Sequence, residues 1–328
     1  MYLNDIGTGA RTVQQGGRFA VITDENIAAL YLERVKASLE EAGFSVSCHV
    51  IPAGEVQKNG AMYLKLLSEL AAVPLTRTDG VVALGGGVIG DLAGFTAATY
   101  MRGIKVIQVP TTLLAQVDAS IGGKTAIDLP EGKNLAGAFH MPALVWRDPA
   151  VLGTLPEALF RDGMAEVIKY ALIDGDGFPD LSDPAAVRRA PEAVIERSAA
   201  IKEQIVLEDA KDLGNRQILN LGHTIGHAVE KLSAYRLSHG QAVAKGLARI
   251  AEIALDQGWC GEEVPARTKA LLTAYGFDLK IPYGAEEIFG DITRDKKRKN
   301  DSIDIIVPEA FGRCVIRRLS LQELRAIL

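Results

Sequence analysis

Cysteine is scarce in this 328-residue chain: Cys48, Cys260 and Cys314 are the only three, widely separated and odd in number. They form neither a disulfide framework nor a CxxC metal motif. That argues against a disulfide-stapled secreted scaffold and points to the reducing cytoplasm. No run approaches the ~20 apolar residues a membrane helix needs. The leading stretch MYLNDIGTGARTVQQGG is polar and Gly-rich, without the apolar centre of a signal peptide. Positive charge is not in excess either: 36 Lys and Arg against 41 Asp and Glu give a formal net charge of −5. This argues against a general nucleic-acid binder, while a local basic pocket for a small anion stays open. Internal repeats and low-complexity linkers are also missing.

What is present is ordinary for a soluble globular protein, with 48% hydrophobic and 23% charged residues, at a length that suits two domains. Up to about residue 150, short apolar runs alternate with helical patterns. Strands are expected at 18–23, 44–51, 80–84 and 104–109, and helices at 26–42, 61–70 and 91–100. That alternation predicts an α/β unit with a Rossmann-like parallel sheet, residues 1–150. Beyond it the strand signal nearly vanishes. Helices are expected at 158–173, 191–208, 218–232 and 242–257, with late strands at 303–307 and 314–317, so residues 151–328 read as a mainly α-helical domain. The two halves are expected to meet at a cleft.

Between the third strand and its helix runs Leu84-Gly85-Gly86-Gly87-Val88-Ile89-Gly90-Asp91, which contains GxGxxG. Glycines let a backbone approach a pyrophosphate, and a helix N-terminus favours its charge. A tight strand–helix turn would use the same residues. The acidic residue that usually follows about 20 positions later to hold a ribose is missing. Asp24, at the end of the first strand, is the acidic candidate instead. A dinucleotide site here would therefore be a variant with a different strand order.

Three of the five histidines, His223, His227 and His239, fall close together. His223 and His227 are spaced i, i+4 and share a helix face. Catalytic zinc commonly takes three protein ligands and an open position. HTIGH lacks the Glu of HExxH, so the third ligand must come from elsewhere, and Glu166 in GMAEVIK is a candidate. Lys169, three residues on, offers a competing account as an ordinary helix ion pair. Lysines beside glycines, Lys124 after Gly122-Gly123 and Lys133 after Gly132, suit an anion site. Arg102, Lys124, Lys169, Lys202 and Arg216 together would suit a substrate with phosphate and carboxylate groups.

In order, GGGVIGDLAGFTAATYMRGI, QVPTTLLAQVDASIGGKTAID, GKNLAGAF, GMAEVIKYALI, LNLGHTIGHAVE, HGQAVAKG and RDKK resemble the motifs of the dehydroquinate synthases, from about Asp24 to the C-terminus. The resemblance implies an NAD-binding N-terminal domain and a metal- and substrate-binding C-terminal one. It implies zinc, or cobalt on the same ligands, held by Glu166, His223 and His239. His227 would not ligate but would meet the substrate phosphate and handle protons. Asp118, Lys124, Asn134, Lys169, Lys202, Arg216, Asn220 and Lys296 match substrate-binding positions. Arg102 matches a phosphate-binding Arg that reaches across a homodimer interface. The NAD positions implied are Asp24, Gly54, Glu55, Lys58, Gly87, Val88, Ile89, Gly90, Asp91, Thr111, Thr112, Lys124, Lys133, Leu152 and Thr154.

Departures from the family pattern are a shorter stretch before the first strand, where members carry a strand hairpin, Asp212 where they have Glu, and Ala53 before Gly54. The implied reaction converts a seven-carbon sugar-acid phosphate to a carbocycle. A ring hydroxyl is transiently oxidised with NAD, phosphate leaves, the ketone is reduced again, the ring opens and an aldol step closes it. Neither membrane nor nucleic acid is implied. The competing readings are a sister sugar phosphate cyclase, of inosose or valiolone synthase type, and a metal-dependent polyol dehydrogenase. A non-catalytic metal-stabilised scaffold is the remaining one.

Overall fold

The β-branched runs that end in Gly, Pro or Asp form strands, and their burial shows which are central. In the computed structural model, which describes residues 2–212, 214–294 and 301–328, the chain forms two compact units, Met1–Pro156 and Glu157–Leu328. The first contains β1 (Arg18–Asp24), β2 (Ser45–Ile51), β3 (Gly80–Gly85), β4 (Lys105–Pro110), the hairpin strands β5 (Lys124–Leu129) and β6 (Gly132–Phe139), and β7 (Leu144–Val145). Five of them make a parallel sheet in the order β2-β1-β3-β4-β7. Strands β1, β3 and β4 are buried almost end to end, as a parallel sheet covered on both faces requires. Edge strand β2 alternates between exposed and buried positions.

Four main helices accompany this sheet: α1 (Ile6–Val13), α2 (Glu33–Glu41, after a π-helical turn at Ala28–Leu32), α3 (Gly60–Ala72) and α4 (Gly87–Thr99). Leu66 and Leu70 of α3, and Ile89, Leu92 and Ala93 of α4, share a core with Ile22, Val81 and Val106 of the strands. Helix α1 was not expected in so polar and Gly-rich a stretch. Its glycines are there for space: a Cβ on Gly7 would fall 2.0 Å from Ser38 O. A reading that counts glycine as a breaker misses such a helix.

Among the described residues, the second unit is helical apart from a hairpin. It comprises α5 (Glu157–Asp174), α6 (Pro184–Arg189), α7 (Glu192–Glu208), α8 (His223–Leu232), α9 (His239–Asp256), α10 (Glu263–Ala274), α11 (Ala285–Arg294), the strands β8 (Ser302–Ala310) and β9 (Arg313–Ser320), and α12 (Leu321–Ile327). Helix α9 buries Val243, Leu247, Ile250 and Ala254 on several sides and packs against α5, α8, α10 and β8, which makes it the central rod. Even its Lys245 is buried, with Nζ donating to Asp278 O at 2.5 Å and Lys280 O at 2.6 Å.

Several boundaries differ from expectation for physical reasons. The helix expected from Asp91 begins at Gly87, because its first turn is made of the glycine-rich motif itself. Lys124, Lys133 and Asn134 stand on the hairpin β5–β6 rather than in loops. The helix expected over 218–232 is broken: a 3₁₀ turn (Asn215–Asn220) ends before Gly222, whose φ of +77° reverses the chain into α8. Lys296 lies outside the described residues.

Helices α8 and α9 cross at backbone contact. A Cβ on Gly246 would lie 2.0 Å from Gly222 O, whereas one on Gly87 would meet only Ala119 Cβ at 3.6 Å. Gly246→Ala should therefore cost about 1–3 kcal/mol of stability or more. Gly87→Ala should stay within about 0.5 kcal/mol of the parent. Urea unfolding of the two variants checks this, and a Gly246→Ala protein as stable as the parent contradicts the close crossing.

Candidate active site

The carboxyl edge of the parallel sheet comes first, because strand order decides where a ligand can sit. The chain leaves β1 toward β2 on one side and resumes with β3 on the other. The switch point therefore lies between β1 and β3, where open α/β sheets bind ligands. Thr23 pairs with Leu84 there, which puts Asp24 beside the glycine-rich turn. Asp24 Oδ1 accepts from the amides of Asn26 and Ile27 at 3.0 and 3.1 Å. The acidic residue of this edge thus comes from β1, in keeping with the altered strand order.

The three motif glycines have different tasks. A Cβ on Gly85 would strike Ile89 at 2.6 Å, and one on Gly90 would lie 2.9 Å from Gln108 Oε1, so both serve packing. Gly87 keeps open the start of α4, where no side chain caps the first amides. The amides of Gly87, Val88 and Ile89 form the kind of N-terminal turn that takes a phosphate. Thr111 N donates to Gly85 O at 2.9 Å, while the buried Thr111 Oγ1 has no hydrogen-bond partner among the described residues. Thr112 Oγ1 accepts from Ala115 N at 3.2 Å. An open helix start, an unsatisfied buried hydroxyl and an acidic residue at the switch point fit a dinucleotide.

Lys58 is buried and joins two further candidates, with Nζ 2.5 Å from Asp91 Oδ2 and 2.5 Å from Asn134 Oδ1. Gly54, at φ +113°, turns the chain into Glu55, which pairs with Lys133 at 3.3 Å. Leu152 is buried, and Thr154 Oγ1 donates to Val151 O at 3.0 Å in the 3₁₀ turn Pro149–Thr154. Asp118 is half-buried in a π-helical turn, and Lys124 is exposed at the start of β5. Arg102 is exposed in a run of positive φ angles, Met101 at +50°, Arg102 at +70° and Gly103 at +116°. Two non-glycine residues in the left-handed region are costly, and such strain collects at functional sites.

In the second unit, Glu166 on α5 is fully buried. Its Oε1 lies 3.2 Å from His223 Nε2 and 3.2 Å from His239 Nε2. Lys169, one turn on and also buried, pairs with Oε2. The ion pair and the histidine cluster, alternatives in the sequence, therefore coexist on the two oxygens of one carboxylate. Burial works to raise the Glu166 pKa, but Lys169 and the two histidines hold it well below the usual carboxylate range. Burial also works against a charged His239, but the carboxylates of Glu166 and Glu230 outweigh it and lift the ring to about 10. His227, one turn past His223, has its ring centroid 5.2 Å from that of His223 and 5.9 Å from that of His239. Crowding by protein, and then the two neighbouring histidines, lower its pKa.

Proton positions test whether this group suits a metal. His223 Nδ1 lies 3.0 Å from Leu221 O, so it must carry the proton and donate. His239 Nδ1 faces Glu230 Oε2 at 3.4 Å and likewise donates. In neutral rings both Nε2 atoms then present lone pairs toward a carboxylate oxygen. Such an arrangement repels unless a cation stands between, and the raised pKa of His239 reports that demand. Ligands about 2.0–2.2 Å from a tetrahedral zinc lie roughly 3.3–3.6 Å apart, close to the 3.2 Å seen. The residues fit a divalent ion.

Of the remaining candidates in this unit, Lys202 is buried on α7, and Arg216 is buried with Nη1 donating to Ala210 O at 2.9 Å. Asn220 ends the 3₁₀ turn that leads to His223, and Asp212 adopts φ +59°. Glu230 was missed in the sequence. Its signal was its place seven residues after His223, on the same helical face.

The chain matches two family models, 3-dehydroquinate synthase N-terminal over residues 48–162 and 3-dehydroquinate synthase C-terminal over residues 163–298. It is 42% identical to the 3-dehydroquinate synthase of Clostridium kluyveri, covering 99% of this chain and 92% of that one. It is 44% identical to that of Pelobacter propionicus, covering 96% and 91%. Among solved structures it resembles a 2-deoxy-scyllo-inosose synthase complexed with carbaglucose-6-phosphate, NAD+ and Co2+ (TM-score 0.87, 24% identity, 98% of this chain and 93% of that one). It also resembles the 2-epi-5-epi-valiolone synthase of Streptomyces hygroscopicus with NAD+ and Zn2+ bound (TM-score 0.86, 26% identity, 95% and 89%). The glycerol dehydrogenase of Schizosaccharomyces pombe shares the fold more loosely (TM-score 0.66, 16% identity, 99% and 85%). The chain belongs to the 3-dehydroquinate synthase family.

Proposed function

We propose that this protein is a 3-dehydroquinate synthase, a phosphate-eliminating carbon–oxygen lyase. It converts 3-deoxy-D-arabino-heptulosonate 7-phosphate to 3-dehydroquinate and phosphate, the second step of the shikimate pathway and so of aromatic amino acid biosynthesis, with NAD and a divalent metal, zinc by preference. The observation that carries the reading is the buried Glu166 carboxylate, with one oxygen facing two imidazole nitrogens and the other paired with Lys169. Its full-length similarity to 3-dehydroquinate synthases exceeds its similarity to the solved inosose and valiolone synthases, which favours this substrate over theirs. The free cysteines suit a reducing cytoplasm, and among the described residues no helix is long and apolar enough to cross a membrane.

When bound, NAD takes and returns a hydride, and the divalent ion polarises the hydroxyl being oxidised. The chain's own residues hold and orient. Asp24, Gly54, Glu55, Lys58, the first turn of α4, Thr111, Thr112, Lys133, Leu152 and Thr154 form the nucleotide site. Glu166, His223 and His239 hold the ion. The family resemblance assigns Lys169, Lys202, Arg216, Asn220, Asp118, Lys124 and Asn134 to the substrate's carboxylate, hydroxyls and phosphate. His227 exchanges protons at its ring nitrogen. Keeping one substrate through several steps is an orientation problem, which fixed charged contacts solve.

The working form is a homodimer in which Arg102 serves the partner's site. Exposed Met101, Phe139 and Met141 support an interface near Arg102. Phe139 and Met141 flank His140, whose Nε2 donates to Ile104 O at 2.8 Å, two residues past Arg102.

Phosphate release should proceed with catalytic NAD and no lasting NADH absorbance, followed by assay of phosphate and identification of 3-dehydroquinate. Stoichiometric NADH would make the protein a polyol dehydrogenase instead. Arg102→Ala should lose a phosphate contact of about 1.5–3 kcal/mol and leave the fold intact. Mixing inactive Arg102→Ala and Lys169→Ala chains should restore activity after subunit exchange, since one site of each mixed dimer carries neither defect. Mixed dimers that form and stay inactive would show that Arg102 acts within its own chain.

A further inference from the structure

Glu230 closes the motif LNLGHTIGHAVE without a role among the assigned site positions, yet it stands behind one of the three proposed ligands. It is buried at 6% exposure on α8 and shares a helical face with His223 and His227. Its Oε2 lies 3.4 Å from Nδ1 of His239, while Nε2 of the same ring lies 3.2 Å from Glu166 Oε1. A carboxylate, an imidazole and a second carboxylate thus form one line, and the imidazole bridges α8 to α5.

The two ligand histidines reach this state differently. His223 is held by its own chain, through Leu221 O at 3.0 Å from Nδ1. His239 is the first residue of α9, after the cap Ser238, and Ser238 Oγ donates to Asp162 Oδ1 on α5. The backbone at His239 is therefore anchored to the helix that carries Glu166. The ring still needs something to choose between its two tautomers and two flips, and Glu230 Oε2 faces the nitrogen that points away from Glu166.

We infer that Glu230 is a positioning residue for metal binding: its carboxylate accepts the Nδ1 proton of His239 and so presents Nε2, unprotonated, to the ion. The inference rests on the reading of Glu166, His223 and His239 as the metal site. An acceptor behind a ligating imidazole commonly contributes about 10–100-fold in metal affinity.

Two substitutions separate position from charge. Glu230→Gln keeps an acceptor oxygen at the same reach without the charge. Glu230→Asp keeps the charge but withdraws it by one methylene. Each full-length variant is stripped of metal, checked for cooperative unfolding, and titrated with Zn2+ against a chelator. Co2+ is then added to record the visible ligand-field spectrum. Positioning predicts a Gln variant within about threefold of the parent and an Asp variant weakened about 10–100-fold with an altered Co2+ spectrum. The reverse order, or equal affinity in all three proteins, would overturn the inference. A parent chain that binds neither ion would instead remove the metal-site reading beneath it.

Discussion

A carboxylate with no access to water is the constraint on which the second unit depends. Glu166 sits at 0% exposure within the buried stretch 163–172 of α5, where Ala165, Val167 and Ile168 flank it in sequence. Burying an ion is costly unless it is paired and hydrogen-bonded. Here Lys169 pairs with one oxygen, while the other faces two imidazole nitrogens and calls for a cation among them, and each of these groups needs its own placement. Lys169 comes free with the helix, at i+3 on the same face. The histidines do not: one must come from α8 and one from α9, and both must reach the same oxygen.

That requirement explains the close crossing of α8 and α9. Gly222 opens α8 in a left-handed conformation, and Gly246 lets α9 lie against it at backbone distance. The His223 and His239 ring centroids are then 5.4 Å apart. Side chains at the crossing would separate the helices, and the nitrogens could no longer share one partner. In the first unit, strand order has the same role. Because β1 and β3 are neighbours at the switch point, the end of one strand supplies Asp24 and the end of the other supplies the open helix start at Gly87.

Periodicity carried much of this into the sequence. The strands at 18–24, 80–85 and 105–110 read clearly because each is a buried β-branched run, and α9 reads clearly because nearly every turn is apolar. The histidine group was visible through its spacing on α8 and through the scarcity of histidine elsewhere. Helix α1 was illegible because Gly7 and Gly9 look like breakers, although they are contact positions. The β5–β6 hairpin was illegible because Gly122, Gly123 and Gly132 read as loop punctuation beside lysines, so Lys124, Lys133 and Asn134 looked like loop residues. Glu230 was overlooked because a Glu near a helix end resembles a solvated surface residue. In the folded chain it is buried, with His239 of α9 in front of it.

The central claim is that Glu166, His223 and His239 are poised for a cation by the direction of their lone pairs. Anomalous diffraction from crystals grown with zinc tests it most directly. The account predicts one ion per chain, about 2.0–2.2 Å from Glu166 Oε1, His223 Nε2 and His239 Nε2, with His227 outside the coordination sphere. An ion held through His227 and Glu230 with Glu166 still paired to both imidazoles, or no ion at these residues in crystals that bind zinc elsewhere, would contradict it.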